Sequence, residues 1–353
     1  MELSGELFGY TPAGEKVYIF TMRNNNGIVV KITNFGGIVT SLLVPDRQGQ
    51  FADVVLGFDN LEGYLGGHPY FGALVGRYAN RIGNAAFEID GELYRLSANE
   101  GKNQLHGGNR GFDKIVWECS TDENNSCPSL VLSCLSPHGS EGYPGNLSVV
   151  VGYSLTDKDE LVIRYNVKTD RPTHVNLSHH GYYNLSGGKE AVLGHELMVN
   201  ASRYTATDDQ LIPTGELAGV EGTPLDFRKI KPVGKDISLI SGGYDNNYVL
   251  DKDDQGGIAG PDKNNSPDAL LYEPVSGRTV ELYTTQPGLQ VYTGNFLDGS
   301  IRGKDNIVYD RHWGICLEAQ HFPDSPNKPG FPSTLLKPGD TYSHTTIYRF
   351  YSK

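Results

Sequence analysis

The sequence predicts an all-β protein, a single large antiparallel β-sandwich over residues 1–353, and three observations carry that prediction. The chain is rich in turn and strand residues, with 44 Gly, 21 Tyr and 19 Pro beside only 3 Met, a balance that favours strands over helices. Short runs alternate apolar and polar residues between Gly, Asn, Asp and Pro. Helical periodicity is weak everywhere.

Taken in order, VYIFTM, GIVVKITNFGGIVTSLLVP, ADVVLGF, AAFEIDGELYRL, LSVVVGYSL, ELVIRYNVKT and TVELYTTQ read as strands and hairpins. Asp90-Gly91, between AFEI and ELYRL, is a two-residue hairpin signal because both residues tolerate positive φ. The best helix candidates are a turn or two at Asn60 to Tyr64 and at Pro232 to Ser241. Asp251 to Asp268, DKDDQGGIAGPDKNNSPD, lacks apolar periodicity and reads as a surface loop. Strand rhythm is the same on both sides of it, which predicts one domain rather than two.

A formal charge of −12 and a pI near 5.3 argue against nucleic acid or an anionic membrane as partner, since both need clustered Lys and Arg. With no basic leader and no apolar run of about eighteen residues, the protein is expected in the cytoplasm, as a monomer or weak homodimer. Cys119, Cys127, Cys134 and Cys316 lack paired spacing and are expected as free thiols.

Against this background THVNLSHHGYYNLSG, Thr173 to Gly187, is unusually polar for a strand. With a side-chain period of two, Asn176, Ser178, His180, Tyr182 and Asn184 face one way, and Val175, Leu177, His179 and Gly181 the other. One face is then wet and able to move protons, because histidine titrates nearest neutrality. In RHWGICLEAQHFPDSPN, Trp313, Ile315 and Leu317 alternate with Gly314, Cys316 and Glu318, which places one carboxylate in an interior strand. An unpartnered buried carboxylate costs several kcal/mol, so Glu318 is paired, protonated or used. It becomes the natural partner of His180.

Other polar segments suit a hydroxyl-rich ligand. GRYANRIGNAAF groups Arg77, Asn80 and Arg81, and Asn and Arg together offer acceptors and a fixed fork of donors. His106 precedes two glycines in NQLHGGNRGF, where the backbone can turn sharply and approach a ligand. Asp245 in GGYDNNYVL accepts from a hydroxyl or caps a turn. QPGLQVYTGNF sets Gln290, Tyr292 and Gly294 on one strand face, with Gln286 before the turn.

No metal is expected. His106, His179, His180, His312 and His321 show no HxH, HExxH or Cys-paired spacing, and adjacent strand histidines point apart. Nucleophile elbows and phosphate-binding glycine loops are absent too.

In order, ANRIG, LHGG with GFDKIVW, NLSHHGYYNLSG, YDNNYVL, TTQPGLQVYTGNFLDG, LEAQHFPDSPN and LKPGDTYSHTTIYRF resemble the aldose 1-epimerases, the galactose mutarotases. The N-terminal NFGGIVTSLLVPDRQG and DVVLGFDNLEGY resemble that family as well, so nearly the whole chain is covered. The resemblance implies a galactose mutarotase-like supersandwich and cofactor-independent interconversion of α and β anomers through an open-chain aldehyde. It implies that Glu318 is the base, that His180 is the acid, and that Asn80, Arg81, His106, Tyr182, Asp245 and Gln290 hold the sugar, with Arg77 as support from behind. This chain departs from the family in having His179, where Asn is usual, before the catalytic histidine; the offset to Tyr182 favours His180. Two other uses of the fold stay open: epimerisation of a hexose 6-phosphate, and sugar binding without catalysis. The first would need cations at the sugar's C6 end, where the motif loops offer only Arg77 and Arg81.

Overall fold

A computed structural model describes residues 1–121, 127–252 and 266–353. Its strands form three large sheets, of five, nine and six strands, with several two-stranded ribbons, and every ladder between strands is antiparallel among the described residues. The five-stranded sheet is the N-terminal meander from Glu2–Tyr10 to Phe51–Asp53. The nine-stranded sheet has the long strands Leu147–Leu155, Glu160–Thr169 and the C-terminal Tyr342–Ser352 near its middle. The six-stranded sheet runs in the spatial order Tyr182–Tyr183, Ile315–Gln320, Gly288–Tyr292, Asp245–Val249, Arg203–Thr207 and Pro213–Gly219.

The alternation read from the sequence explains why these sheets pack. Leu147, Val149 and Val151 from the nine-stranded sheet meet Leu289, Val291, Ile315 and Leu317 from the six-stranded one in a single buried cluster. Burying each such side chain contributes about 1.5–3 kcal/mol. That cluster reaches from Phe20 to Phe350. Tyr348 in the nine-stranded sheet also donates to the Leu317 carbonyl (3.0 Å), tying the layers together.

Local signals held where they rest on backbone chemistry. Asp90 (φ 52°) and Gly91 (φ 84°) join Ala86–Ile89 to Glu92–Arg95. Asn60 caps the helix Leu61–Leu65 by accepting from the Gly63 amide (3.1 Å). Pro232 to Ser241 holds one turn, of 3-10 helix, at Ile237–Leu239. Most of the expected loop at 251–268 lies outside the described residues. Its flanks are pinned together: Lys252 donates to Asp268 (2.5 Å), whose other oxygen accepts from the Thr284 amide (2.8 Å).

The polar segment differs most from its reading. Instead of one strand with a wet face, it forms three short pieces, Thr173–His174, Ser178–His180 and Tyr182–Tyr183, and every residue from Thr173 to Ser186 is buried. Asn176, Ser178 and Asn184 do not line a cleft. Their side chains bond main-chain groups: Asn176 bridges Ala79 and His321, Ser178 donates to the Ala319 carbonyl, and Asn184 donates to Glu190 and Trp313. Only His180 and Tyr182 of that face reach the cavity described next.

No helix among the described residues is long and apolar enough to cross a membrane. All four cysteines are free thiols.

Candidate active site

Register decides which side chains converge. In antiparallel ladders directly paired residues share a face, and here Tyr182 pairs with Cys316, Cys316 with Tyr292, Tyr292 with Asp245, and Gln290 with Glu318. One face of the six-stranded sheet therefore carries Tyr182, Cys316, Glu318, Gln290, Tyr292 and Asp245. The opposite face carries Ile315, Leu317, Leu289 and Val291 into the core. Over the polar face lies a cavity of about 100 Å³ whose walls include Asn80, Arg81, His106, His180, Tyr182, Asp245 and Glu318.

Asn80, Arg81 and His106 arrive from two paired loops. Arg81–Ile82 pairs with Gln104–Leu105, and next to that ladder the Asn80 amide donates to His106 Nδ1 (3.1 Å) while the His106 amide donates to the Asn80 carbonyl (3.0 Å). Because Nδ1 accepts, the neutral ring carries its proton on Nε2. Three residues at the cavity have left-handed backbone without being glycine: Tyr70 (φ 63°), Asn80 (φ 64°) and His106 (φ 50°). Such conformations cost of order 1–3 kcal/mol each and cluster at functional sites. The glycines after His106 serve a different end from the one expected of them. A Cβ at Gly107 would lie 2.0 Å from the Gly76 carbonyl oxygen, so the close approach is between two loops rather than to a ligand.

Glu318 and His180 face each other at the cavity floor, with Oε1 3.6 Å from Nε2 and both residues about 95% or more buried. Glu318 Oε2 has no hydrogen-bond partner among the described residues. Burial, and then the charge of Asp245, pushes Glu318 well above the usual carboxylate range, with Arg81 pulling the other way. Burial pushes His180 down to about 3. Both shifts favour the neutral form of each group, so across the neutral range the pair holds one proton between them. Cys316 Sγ lies 3.6 Å from His180 Nδ1, and burial keeps that thiol protonated.

Ligand atoms of His106, His180 and Glu318 lie within 4.8 Å of one another, a grouping that no local metal motif announces because its members come from three distant segments. His106 fits a metal poorly. Its Nδ1 is engaged by Asn80, so ligation through Nε2 would displace the proton found there and leave the Asn80 amide unpaired.

Gln290 stands behind the wall rather than in it. Its Nε2 donates to Asp245 Oδ1 (2.6 Å), which orients that carboxylate toward the cavity. Arg77 does not line the cavity: its guanidinium is occupied by the carbonyls of Ser136, Pro144 and Gly145 and the Ser136 hydroxyl. His179 is buried on the other side of the strand. Its ring meets Tyr348 edge-on at 6.2 Å, and the adjacent Gly181 leaves it room: a Cβ there would come within 2.9 Å of the ring. Glu100 was not foreseen. It grips Arg81 through two bonds of 2.7 Å, to Nε and Nη2, while Arg81 Nη1 lies 4.0 Å from Asp245. Tyr70, Tyr292 and Phe296 complete the aromatic rim, and Tyr70 packs on His106 and His180 at centroid distances of 4.5 and 5.7 Å.

The sequence model described as Aldose 1-epimerase matches residues 18–349. The chain is 46% identical to the galactose mutarotase of Rattus norvegicus and 44% identical to that of Bos taurus, in each case over 98% of this chain and 97% of the relative. It is 36% identical to the aldose 1-epimerase of Escherichia coli over 96% of both chains. Among solved structures, a GalM/aldose epimerase homologue from C. elegans superposes with a TM-score of 0.85 at 30% identity, covering 94% of this chain and 98% of that one. A galactose 1-epimerase from Lactobacillus acidophilus gives 0.84 at 27% identity, covering 100% and 99%. With the matched model spanning almost its whole length, the chain belongs to the aldose 1-epimerase family.

Proposed function

We propose that this aldose 1-epimerase interconverts the α and β anomers of hexoses such as D-galactose and D-glucose by moving protons between Glu318, His180 and the sugar. The observation that carries this reading is the buried Glu318–His180 pair, 3.6 Å apart at the floor of a cavity edged with hydroxyl-binding groups. The one proton of the pair rests on Glu318 while the cavity holds no sugar, and it passes to His180 once the sugar is bound. In the ring-opening step the resulting Glu318 carboxylate takes the C1 hydroxyl proton while the His180 imidazolium gives its Nε2 proton to the ring oxygen. The C1–O5 bond breaks with its electron pair going to O5, leaving an aldehyde at C1 and a hydroxyl at O5. Rotation about C1–C2 presents the other face. Closure returns the O5 proton to His180 and the Glu318 proton to the C1 oxygen, so the protein ends as it began. General acid–base catalysis of this kind contributes about 10²–10⁴-fold.

Asn80, Arg81, His106, Tyr182 and Asp245 are assigned to the sugar's hydroxyls, and Gln290 to the orientation of Asp245. His106 acts as a neutral donor through Nε2–H, because burial keeps its pKa well below the ordinary histidine range. Arg81 is the one cation among the residues lining the cavity and is already held by Glu100, which favours a neutral hexose over its 6-phosphate. We further propose that the 353 residues work as one domain, in keeping with the core that runs from Phe20 to Phe350, and in the cytoplasm without a nucleic-acid or membrane partner.

Polarimetry on freshly dissolved α-D-galactose and α-D-glucose tests the reading. Acceleration over the buffer rate is expected, and its absence with both sugars would overturn it.

A further inference from the structure

Behind the cavity wall, the face of the sheet that carries Glu318 holds a row of buried amides. Asn247 pairs with Gln290, Gln290 with Glu318, and Gly288 with Gln320, so Asn247, Gln290 and Gln320 share the face of Glu318. None of the three lines the cavity, and none is more than 3% exposed. Gly288 lets the row close up: a Cβ there would lie 2.7 Å from Asn247 Oδ1 and 3.0 Å from a ring carbon of Phe322. At that end Val249, Phe322 and Phe331 form a buried apolar plug.

Six side-chain atoms of this row have no hydrogen-bond partner among the described residues: both polar atoms of Asn247, both of Gln320, Gln290 Oε1 and Glu318 Oε2. Gln290 Nε2 is committed to Asp245 (2.6 Å), and Oε1 is the arm that remains. Leaving six buried polar groups unpaired would cost as much as a domain's whole net stability, so the row calls for a small polar ligand. Directly paired side chains stand about 4.5–5.5 Å apart at Cβ, and Gln320 follows Glu318 at one strand period, about 6.5 Å. A single water bridges polar atoms about 5–6 Å apart and makes two to four hydrogen bonds.

We propose that Asn247, Gln290 and Gln320 hold ordered water against Glu318 Oε2, and that Gln320 is thereby a positioning residue for the base. Water suits both proton states of Glu318. It accepts from the carboxyl O–H while the proton rests there, and it donates to the carboxylate once the proton has passed to His180. The charged form of Glu318, which burial and Asp245 disfavour, is then hydrogen-bonded at the moment it must act. The role of Gln320 rests on the acid–base function proposed above, whereas the water site does not.

Two readouts test it. A high-resolution crystal structure of the wild-type protein is expected to show ordered water within hydrogen-bond distance of Glu318 Oε2 and of the Gln320 or Asn247 amide. Amides bonded only to one another around a dry Glu318 Oε2 would overturn the site. Polarimetry on galactose compares Gln320→Met, which keeps the length and removes both polar atoms, with Gln320→Asn, whose shorter amide leaves room for a further water. Methionine is expected to lower kcat by about tenfold with KM within about twofold, because the water touches the base and not the sugar. Asparagine is expected to keep kcat within about threefold of wild type. An unchanged kcat with methionine, or a loss confined to KM, would overturn the positioning role and leave Gln320 as support for the Asp245 wall. An equal loss in both variants would overturn it too, by making side-chain shape the cause. Where methionine fails to fold, the wild-type crystal structure decides. If the wild type accelerates no sugar, the acid–base function falls and the role of Gln320 with it, while the crystal structure judges the water site by itself.

Discussion

The two faces of the sheet that carries Glu318 are made from the same strands under opposite rules. One face presents Ile315, Leu317, Leu289 and Val291 to a dry core, and the other presents Glu318 and Tyr292 to a cavity, with Cys316 and Gln290 on the same face behind its wall. His179 and His180 repeat that contrast one residue apart. Both are buried, and burial lowers both, to about 4 and about 3. His180 looks onto a carboxylate across a cavity, whereas neither ring nitrogen of His179 has a hydrogen-bond partner among the described residues. Burial and a shifted pKa are therefore common to an idle histidine and a working one, and what separates them is an opposed titratable group with room for a ligand.

The largest effect that would break this contrast is at the pair itself. His180→Asn and Glu318→Gln each keep the shape and remove a proton carrier, so kcat is expected to fall by about 10²–10⁴-fold, read by polarimetry on galactose. Activity within a few-fold of wild type in either variant would move the chemistry elsewhere. A smaller effect is expected at Glu100, which holds Arg81 from behind through two bonds of 2.7 Å. Glu100→Gln cannot accept both, so Arg81 loosens and kcat/KM is expected to drop by about 10-fold, the effect of about 1.4 kcal/mol of lost transition-state binding. Unchanged kinetics would show that Asp245 alone suffices to place the guanidinium.

The next effect in size concerns Cys316, on the cavity face and 3.6 Å from His180 Nδ1. A thiol can donate to Nδ1 when the imidazole is neutral and accept from it when the ring is charged, so it suits both halves of the proton cycle. Cys316→Ser keeps both abilities and Cys316→Ala keeps neither. Alanine is expected to lower kcat by about 5-fold, near 1 kcal/mol for a lost weak hydrogen bond, and serine by less. The ¹⁵N shifts of His180 give a second readout, with the Nε2–H tautomer dominant in the wild type and mixed in the alanine variant. Equal rates and equal tautomer populations in the two variants would reduce Cys316 to packing.

How much of this was legible in the sequence depended on whether meaning was local. Leu147–Leu155 and Glu160–Thr169 match the expected runs residue for residue, because a strand with one buried face writes its period directly into the chain. Glu318 was legible for the same reason: a carboxylate between Leu317 and Ala319 breaks an apolar rhythm. The polar segment misled in part because Asn and Ser in a strand say nothing about whether they bond a ligand or a neighbouring main chain, and Asn176, Ser178 and Asn184 do the latter. Glu100, Tyr70 and the gathering of His106, His180 and Glu318 were not legible. Their proximity follows from loop pairings and sheet register that no short motif encodes.

The smallest effect on activity is expected at His179, and it sharpens the contrast through stability instead. His179→Leu should leave mutarotation within about 2-fold, since the ring lies on the core side, and should stabilise the protein by about 1 kcal/mol at pH 7 by removing buried polar atoms without partners. The Gly72 backbone offsets the effect of burial only in part. The pH dependence follows from the direction of the shift. The His179 pKa is lowered in the fold, from 6.5 to about 4, so below pH 6.5 the unfolded chain binds a proton that the folded chain refuses. Stability is then lost as pH falls from about 6.5 toward 4, by about 1.4 kcal/mol per pH unit from this residue. Leucine abolishes that term, so the stability gap between variant and wild type, measured by urea unfolding at pH 7 and pH 5, should widen by about 2 kcal/mol at the lower pH. A gap that is the same at both pH values would mean that His179 is protonated or partnered in the fold, and the distinction between the two histidines would have to rest on Glu318 alone.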